Sequence, residues 1–401
     1  MGKQILISLG ILTFLVLGTV AVVLYGTGYR FGFAKNGTFV VGTGLLVATS
    51  TPDGAQVIIN GHLSTATDNT INLAPGEYDV KIFKDGYFAW QKKITVQQEV
   101  VSKADATLFP VTPNLESITD TGVLNPILDP SETKIAYVIA SQSATVNGIY
   151  VLDMGSRSLL TLQSNAKQIL VDATGLFSQA TLSWSPDGQS ILASIPSALN
   201  PQKPTLYLLD ANNMNTAPQD VTETFTTTIQ PTWTKEITDK EHAQINSLPP
   251  TLAKLATADW HILSWSADGT KILYQASSSA TIPQIIKPAL IGTDSAPEER
   301  MLQQSGIYVY DTKEDKNFSV IAADKTSADY KITWLPDSKH LLYVYNKQIV
   351  IMDYDGLNPI IVYAGPFIDS SVFPWADPTK IVILTNLNNP DINPNLYTVG
   401  L

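Results

Sequence analysis

The run QILISLGILTFLVLGTVAVVLY, residues 4–25, carries no charged residue. From Ile5 to Tyr25 it covers about 20 residues, which at about 1.5 Å each is roughly the 30 Å of a bilayer core. The run has no polar face at helical spacing, so it does not read as a soluble core helix. It is longer than the apolar core of a cleavable signal, and no small-x-small site follows it. It is therefore read as an uncleaved transmembrane anchor. Tyr25, Tyr29, Phe31 and Phe33 would suit the headgroup zone. Lys3 and the α-amino group on one side nearly balance Arg30 and Lys35 on the other. A three-residue stub is easily retained, so the rest of the chain is expected outside the cytoplasm.

The chain has 401 residues and a formal net charge of −11. The stub and anchor hold a single charged side chain, Lys3, so the acidity belongs to residues 26–401. An acidic domain of this kind argues against nucleic acid and against docking on anionic lipid. Cysteine is absent, which excludes a disulfide framework, a thiolate metal site and a cysteine nucleophile. The remaining length of about 370 residues holds two or three domains. Thr, Ser, Val, Ile and Tyr are plentiful, Gly and Pro number 24 each, and long helical periodicity is scarce. That profile predicts an all-β fold.

Residues 43–110 alternate short β runs with turn signals. Strand Gly44–Thr49 leads to the turn Pro52-Asp53-Gly54. Ala55–Ile59 alternates and meets the tight-turn pair Asn60-Gly61. Ile71–Leu73 precedes the turn Ala74-Pro75-Gly76, and Glu77–Phe83 sets Tyr78, Val80 and Ile82 on one face. Lys84-Asp85-Gly86-Tyr87 turns again, and Lys93–Val96 and Ala106–Phe109 close the unit. This segment resembles the PEGA domain, a small β-sandwich of envelope proteins. The tetrad stands as Pro52-Asp53-Gly54-Ala55, with Asp for Glu. Leu73-Ala74-Pro75-Gly76-Glu77-Tyr78 and Lys84-Asp85-Gly86-Tyr87 follow in order. Where the family has Thr-Pro after the second hairpin, this chain has Thr67-Asp68-Asn69-Thr70. The resemblance implies extracytoplasmic display without catalysis.

Downstream, from 111 to 401, one pattern recurs. Ser183-Trp184-Ser185-Pro186-Asp187-Gly188 precedes Ser190-Ile191-Leu192. Ser264-Trp265-Ser266-Ala267-Asp268-Gly269 precedes Lys271-Ile272-Leu273-Tyr274. Thr333-Trp334-Leu335-Pro336-Asp337-Ser338 precedes His340-Leu341-Leu342-Tyr343. Weaker copies lie at Asp129-Pro130-Ser131 and Trp375-Ala376-Asp377-Pro378. Four copies continue into a strand of one form: Ile149–Asp153, Leu206–Asp210, Ile307–Asp311 and Ile349–Asp353. A repeated antiparallel unit buries its faces by stacking on its neighbours, and a ring of blades is the usual result. The motif resembles TolB-like, WD40-like β-propellers. Five blades are expected. A sixth between Thr226 and Trp233, or closure of the ring by strands from 111–124, stays open. Spacings between Asp187, Asp268 and Asp337 exceed the roughly 40–45 residues of a plain blade, so insertions are expected near 211–259 and 276–305. The first should hold helices at Thr234–Ala243 and Leu252–Ala256; the second, Pro-rich, reads as a long loop.

His62, His242, His261 and His340 show no metal-ligand spacing. No G-x-S-x-G elbow, P-loop or dinucleotide fingerprint is present. Asp311–Asn317 is acidic enough for a weak calcium site but lacks EF-hand order. Asp187, Asp268 and Asp337 are expected to accept backbone N–H bonds in their turns, and the tryptophans to pack between blades. The chain therefore reads as a non-enzymatic cell-envelope protein, with no cofactor or metal. Its propeller would bind a protein or peptide, and its PEGA-like unit would touch a surface or wall polymer. The alternative is a propeller-based lyase or glycan or peptide hydrolase. Convergence of Asp259, Asp294, Glu298 and Glu299 with Arg300 would favour it.

Overall fold

The computed structural model describes residues 2–26, 30–31, 40–155, 166–197, 203–325 and 331–401. Helix α1 (Gly2–Gly26) forms on the uncharged run. Its side chains are described from Ile7 to Val23, and all are exposed. Thr13 and Thr19 donate their hydroxyls to the carbonyls of Leu9 and Leu15, so these two polar groups are satisfied within the helix. Among the described residues no helix is long and apolar enough to cross a membrane. The expected span over 4–25 is therefore not supported. Tyr29, Phe33 and Lys35 lie outside the described residues.

The chain divides into two compact units. The first comprises residues 1–111 and 286–298, the second 112–285 and 299–401.

In the first unit, strand Gly44–Thr51 runs antiparallel to Asn69–Leu73 and parallel to Val101–Thr107. A second sheet orders His62–Ala66, Gln56–Ile59, Gly76–Phe83 and Trp90–Val96. Alternation sends Leu46, Ala48, Val57, Val80, Ile82, Trp90, Ile94 and Ala104 into one core. Asn60 and Gly61 both take positive φ in the tight turn between Gln56–Ile59 and His62–Ala66, as the pair predicts. Thr67, where the sequence departs from the PEGA pattern, is buried. Its hydroxyl accepts from Ala55 N at 3.0 Å and lies 2.8 Å from Ser50 Oγ, which satisfies the polar groups at that end of the sandwich.

The segment 286–298 belongs to this unit. Its Asp294 pairs with Lys92 at 2.7 Å, with both side chains about nine-tenths buried. Ser295 Oγ accepts from Thr95 N at 3.0 Å. Strand Trp90–Val96 is an edge of its sheet, so the segment supplies partners to polar groups that an open edge would expose. Gly292 takes φ +70°, and a Cβ there would come within 2.8 Å of Val100 Cγ1.

The second unit holds five four-stranded antiparallel sheets among the described residues. The first is Leu124–Leu128, Lys134–Ile139, Gly148–Asp153 and Ala166–Val171. The second is Thr181–Trp184, Ser190–Ile195, Thr205–Asp210 and Gln219–Asp220. The third is Trp260–Trp265, Lys271–Ala276, Ile307–Asp311 and Lys316–Ile321. The fourth is Ile332–Trp334, His340–Tyr345, Gln348–Asp353 and Ile360–Tyr363. In the last, Val372–Pro374, Lys380–Thr385 and Asn395–Gly400 are joined by Leu115–Ser117 from the start of the unit. Meander sheets in series, with the final one completed by an early strand, are the construction of a β-propeller. Apolar clusters bridge successive sheets: Val138 and Ile149 pack with Leu182 and Ile191, and Leu273 and Val309 with Trp334 and Leu341.

The stretch Thr226–Trp233, where the sequence leaves a sixth blade open, is helical. Phe225–Ile229 is a π-turn that runs into α2 (Gln230–Asn246). Pro231 sits in the first turn of α2, where its missing N–H costs nothing and its fixed φ suits a helix. Helix α3 (Pro250–Asp259) follows and buries Leu252 and Ala256.

Candidate functional site

The turn aspartates are built alike. Asp187 accepts from Ser185 Oγ at 2.5 Å and Gln189 N at 3.0 Å. Asp268 accepts from Ser266 Oγ at 2.7 Å and from Thr270 N and Oγ1 at 3.0 and 2.8 Å. Burial alone would raise the Asp268 carboxyl; these donors outweigh it and hold it down at about 2. Asp337 accepts from Lys339 N at 2.8 Å. It also lies 2.6 Å from His340 Nδ1, while His340 Nε2 is 3.4 Å from Asp353. Burial of His340 disfavours its charge, yet the two carboxylates prevail and lift its pKa to about 9. His340 is thus a structural clamp between a turn and the facing strand.

These turns converge on a cavity of about 1420 Å³ in the second unit. Pro130, Ser131 and Glu132 of the first sheet reach it, as do Trp184 and Asp187 of the second, Trp265 of the third and Trp334 of the fourth. Helix α2 contributes Trp233, Glu236, Ile237, Lys240, Glu241 and Gln244, a spacing that sets them on one face. No residue of α2 is buried, so this helix overhangs the cavity without entering a core. Glu132 takes φ +59° and hydrogen-bonds Thr333 of the fourth sheet. Desolvation raises its carboxyl; the Thr333 bond lowers it in part, and the charge of Asp129 raises it again.

Five of the seven tryptophans line this one cavity: Trp184, Trp233, Trp260, Trp265 and Trp334. Trp184 donates to Ile127 O of the preceding sheet at 3.3 Å, and Trp334 packs on the third sheet. Trp260 stacks on Tyr274 with ring centroids 3.9 Å apart. The indole N–H groups of Trp260 and Trp334 and the hydroxyl of Ser264 are buried without a hydrogen-bond partner among the described residues. All three residues line the cavity.

The carboxylates singled out in the insertions fall in different units and take separate partners. Asp294 and Glu298 belong to the first unit. Asp259 accepts from Ser278 Oγ, Glu299 accepts from Met301 N at 2.9 Å, and Arg300 pairs with Asp315 at 3.3 Å. In the acidic stretch Asp311–Asn317, Asp311 accepts from Lys313 N and Glu314 N, and Asp315 from the Tyr310 hydroxyl. Among the described residues no group of three His, Asp or Glu side chains is placed to hold a metal ion. His242 and His261 line the cavity; His62 is exposed on its strand. The cavity-lining roles of Trp233, Trp260 and Glu132 were not read from the sequence. The 233, 237, 240, 244 periodicity of α2 was the available signal for the first.

Residues 43–112 match the PEGA domain model. No curated protein matches the chain. Among solved structures, TolB from Agrobacterium tumefaciens is 14% identical, with 68% of this chain and 70% of that one covered and a TM-score of 0.21. TolB from Acinetobacter baumannii is 16% identical, with 81% and 60% covered and a TM-score of 0.23, so the chain spans less than two thirds of that protein's length. The β-propeller domain of the trilobed protease from Pyrococcus furiosus is 13% identical, with 92% and 94% covered and a TM-score of 0.23. At such scores the likeness adds nothing to the fold as read from the sheets.

Proposed function

We propose that this chain is a non-enzymatic, extracytoplasmic binding protein of the cell envelope. In this reading its five sheets are five propeller blades, α1 anchors it in the membrane as a single-pass helix, and a protein or peptide partner engages the propeller. The PEGA-matching unit spaces the propeller from the membrane or touches wall polymer. The observation that carries the reading is the tryptophan-rich cavity beneath α2. It is larger than the about 300–1,000 Å³ of most small-molecule sites, and an insertion helix without buried residues overhangs it. Insertions on one propeller face are natural recognition elements. The anchor reading is supported by the uncharged run and by the exposure of every described α1 side chain.

The test is capture of partners by the full chain from detergent-solubilised membranes, with a photocrosslinker at position 240 on α2. A protein crosslinked there is the expected result. If nothing is retained while the purified chain cleaves wall polysaccharide or peptide, the binding reading fails. One observation favours that rival: Glu132, a carboxyl held above its ordinary pKa in the cavity, suits a general acid. Alkaline extraction and protease treatment of protoplasts test the anchor. Release by carbonate, or full protection from protease, would overturn it.

A further inference from the structure

The cavity under α2 combines two chemistries. Its lining carboxylates, Glu132, Asp187, Glu236 and Glu241, outnumber its one lysine, Lys240. The chain carries a net charge of −11, so the field of the whole molecule draws cations toward this opening and repels anions. Against the carboxylates stand the five tryptophans, whose ring faces attract organic cations more strongly than those of any other side chain. Trp184, Trp233 and Trp265 remain partly exposed, and they come from three different elements around the space.

A second observation separates kinds of cation. The indole N–H groups of Trp260 and Trp334 are donors on nine-tenths-buried side chains that find no acceptor among the described residues. A buried donor left unmatched is costly, and native structures rarely tolerate it without a partner. A polyamine brings ammonium groups but no acceptor. A peptide brings backbone carbonyls, which accept from an indole N–H, and on lysine it brings the ammonium.

Resting on the binding reading above, we infer that the cavity takes an extended peptide segment presenting a lysine, its ammonium among Glu132, Glu236 and Glu241 and the tryptophan rings, its carbonyls toward the wall in which the unpaired Trp260 and Trp334 indoles are buried.

The test uses the full chain in detergent, with a short oligolysine as probe, followed by calorimetry and by tryptophan fluorescence. Three arms accompany it: oligoglutamine of equal length, a linear polyamine and oligoglutamate. Oligolysine should bind with a fluorescence change, and the other three should bind at least tenfold more weakly. The combined variant Glu132→Gln, Glu236→Gln, Glu241→Gln should lose tenfold or more in affinity with its circular dichroism unchanged. A matched variant of exposed acids elsewhere, Glu77→Gln, Asp85→Asn, Asp391→Asn, should bind as the parent does. Equal losses in the two variants would show attraction to net charge and overturn the site. Equal binding of the polyamine would overturn the peptide. Absence of oligolysine binding while α2 still crosslinks to a captured protein would overturn the ligand class and leave the binding reading standing.

Discussion

A buried ion pair of the first unit and the repeated turn clamps of the second secure their polar groups at different ranges along the chain. In the first, Lys92 meets Asp294 across 202 residues of sequence, and the pair is nearly buried. In the second, the turn carboxylates of Asp187 and Asp268 find their donors two residues away. The distant pair depends on a segment that leaves one fold and completes another. The turn clamps depend only on a local backbone shape, repeated from sheet to sheet. Local clamps are individually weak and replaceable, whereas a buried pair is costly to break from one side.

The strongest blow to this contrast is Asp294→Ala. It leaves the Lys92 ammonium buried without its carboxylate, at a cost of about 3–5 kcal/mol. Denaturant unfolding followed through the buried Trp90, two residues from Lys92, should show an early transition of the first unit. Replacing both members by apolar residues, Lys92→Met with Asp294→Leu, should recover most of the loss. A loss below about 1 kcal/mol in the single variant would mean that the segment merely rests on the sandwich.

Next in size is the His340 clamp, the second unit's nearest counterpart to a buried pair. Its folded pKa of about 9 lies above the ordinary 6.5. Its contribution is therefore complete below about pH 6.5 and is lost as pH rises through about 9. The shift corresponds to about 3 kcal/mol at most. Asp337 behaves oppositely. Its own burial resists ionisation, but His340 holds its carboxyl below the usual value, so its share is present above about pH 3.8 and fades on acidification. Thermal melts of His340→Gln should lose the decline between pH 6.5 and 9 that the parent shows. Identical slopes would remove the clamp from the account.

The smallest effect sharpens the local side of the contrast. Asp268→Asn should cost about 0.5–1.5 kcal/mol, the usual worth of a hydrogen bond in an exposed turn. With a folded pKa of about 2, the stabilisation from Asp268 is complete above about pH 3.8 and vanishes as pH falls through about 2. Melts of the variant should accordingly converge with the parent in strong acid. A cost several-fold larger would mean that the turns are not independent units.

The same division by range governs what the sequence discloses. Asn60-Gly61 announces its tight turn because the positive φ values are a property of those two residues. The Asp turns and the facing Ile-Tyr-x-x-Asp strands are legible for the same reason. The repeat also exposes the five sheets, and Leu115–Ser117 lies within the stretch 111–124, from which the sequence leaves ring closure open as one alternative. Thr226–Trp233 misleads because a threonine-rich stretch has strand propensity, while Pro231 and the helix formers after it decide the outcome. Nothing in Ile286–Glu298 says that it packs with residues 90–100; that fact exists only once the chain has folded back. The cavity is partly legible. Trp184, Trp265 and Trp334 stand in the repeat, but their meeting with Trp233 and Trp260 requires the insertion helix to be placed.

The pairing of Leu115–Ser117 with Asn395–Gly400 also sets a timetable. Ser117 lies opposite Tyr397, about 280 residues later. At the synthesis rate of roughly 5–20 residues per second, the early strand waits on the order of 15 to 55 seconds for the strand that will receive it. During that interval the later sheets can form in succession behind it, while the last of them cannot be finished. The second unit therefore closes from both ends at once and late, after its middle has already been laid down.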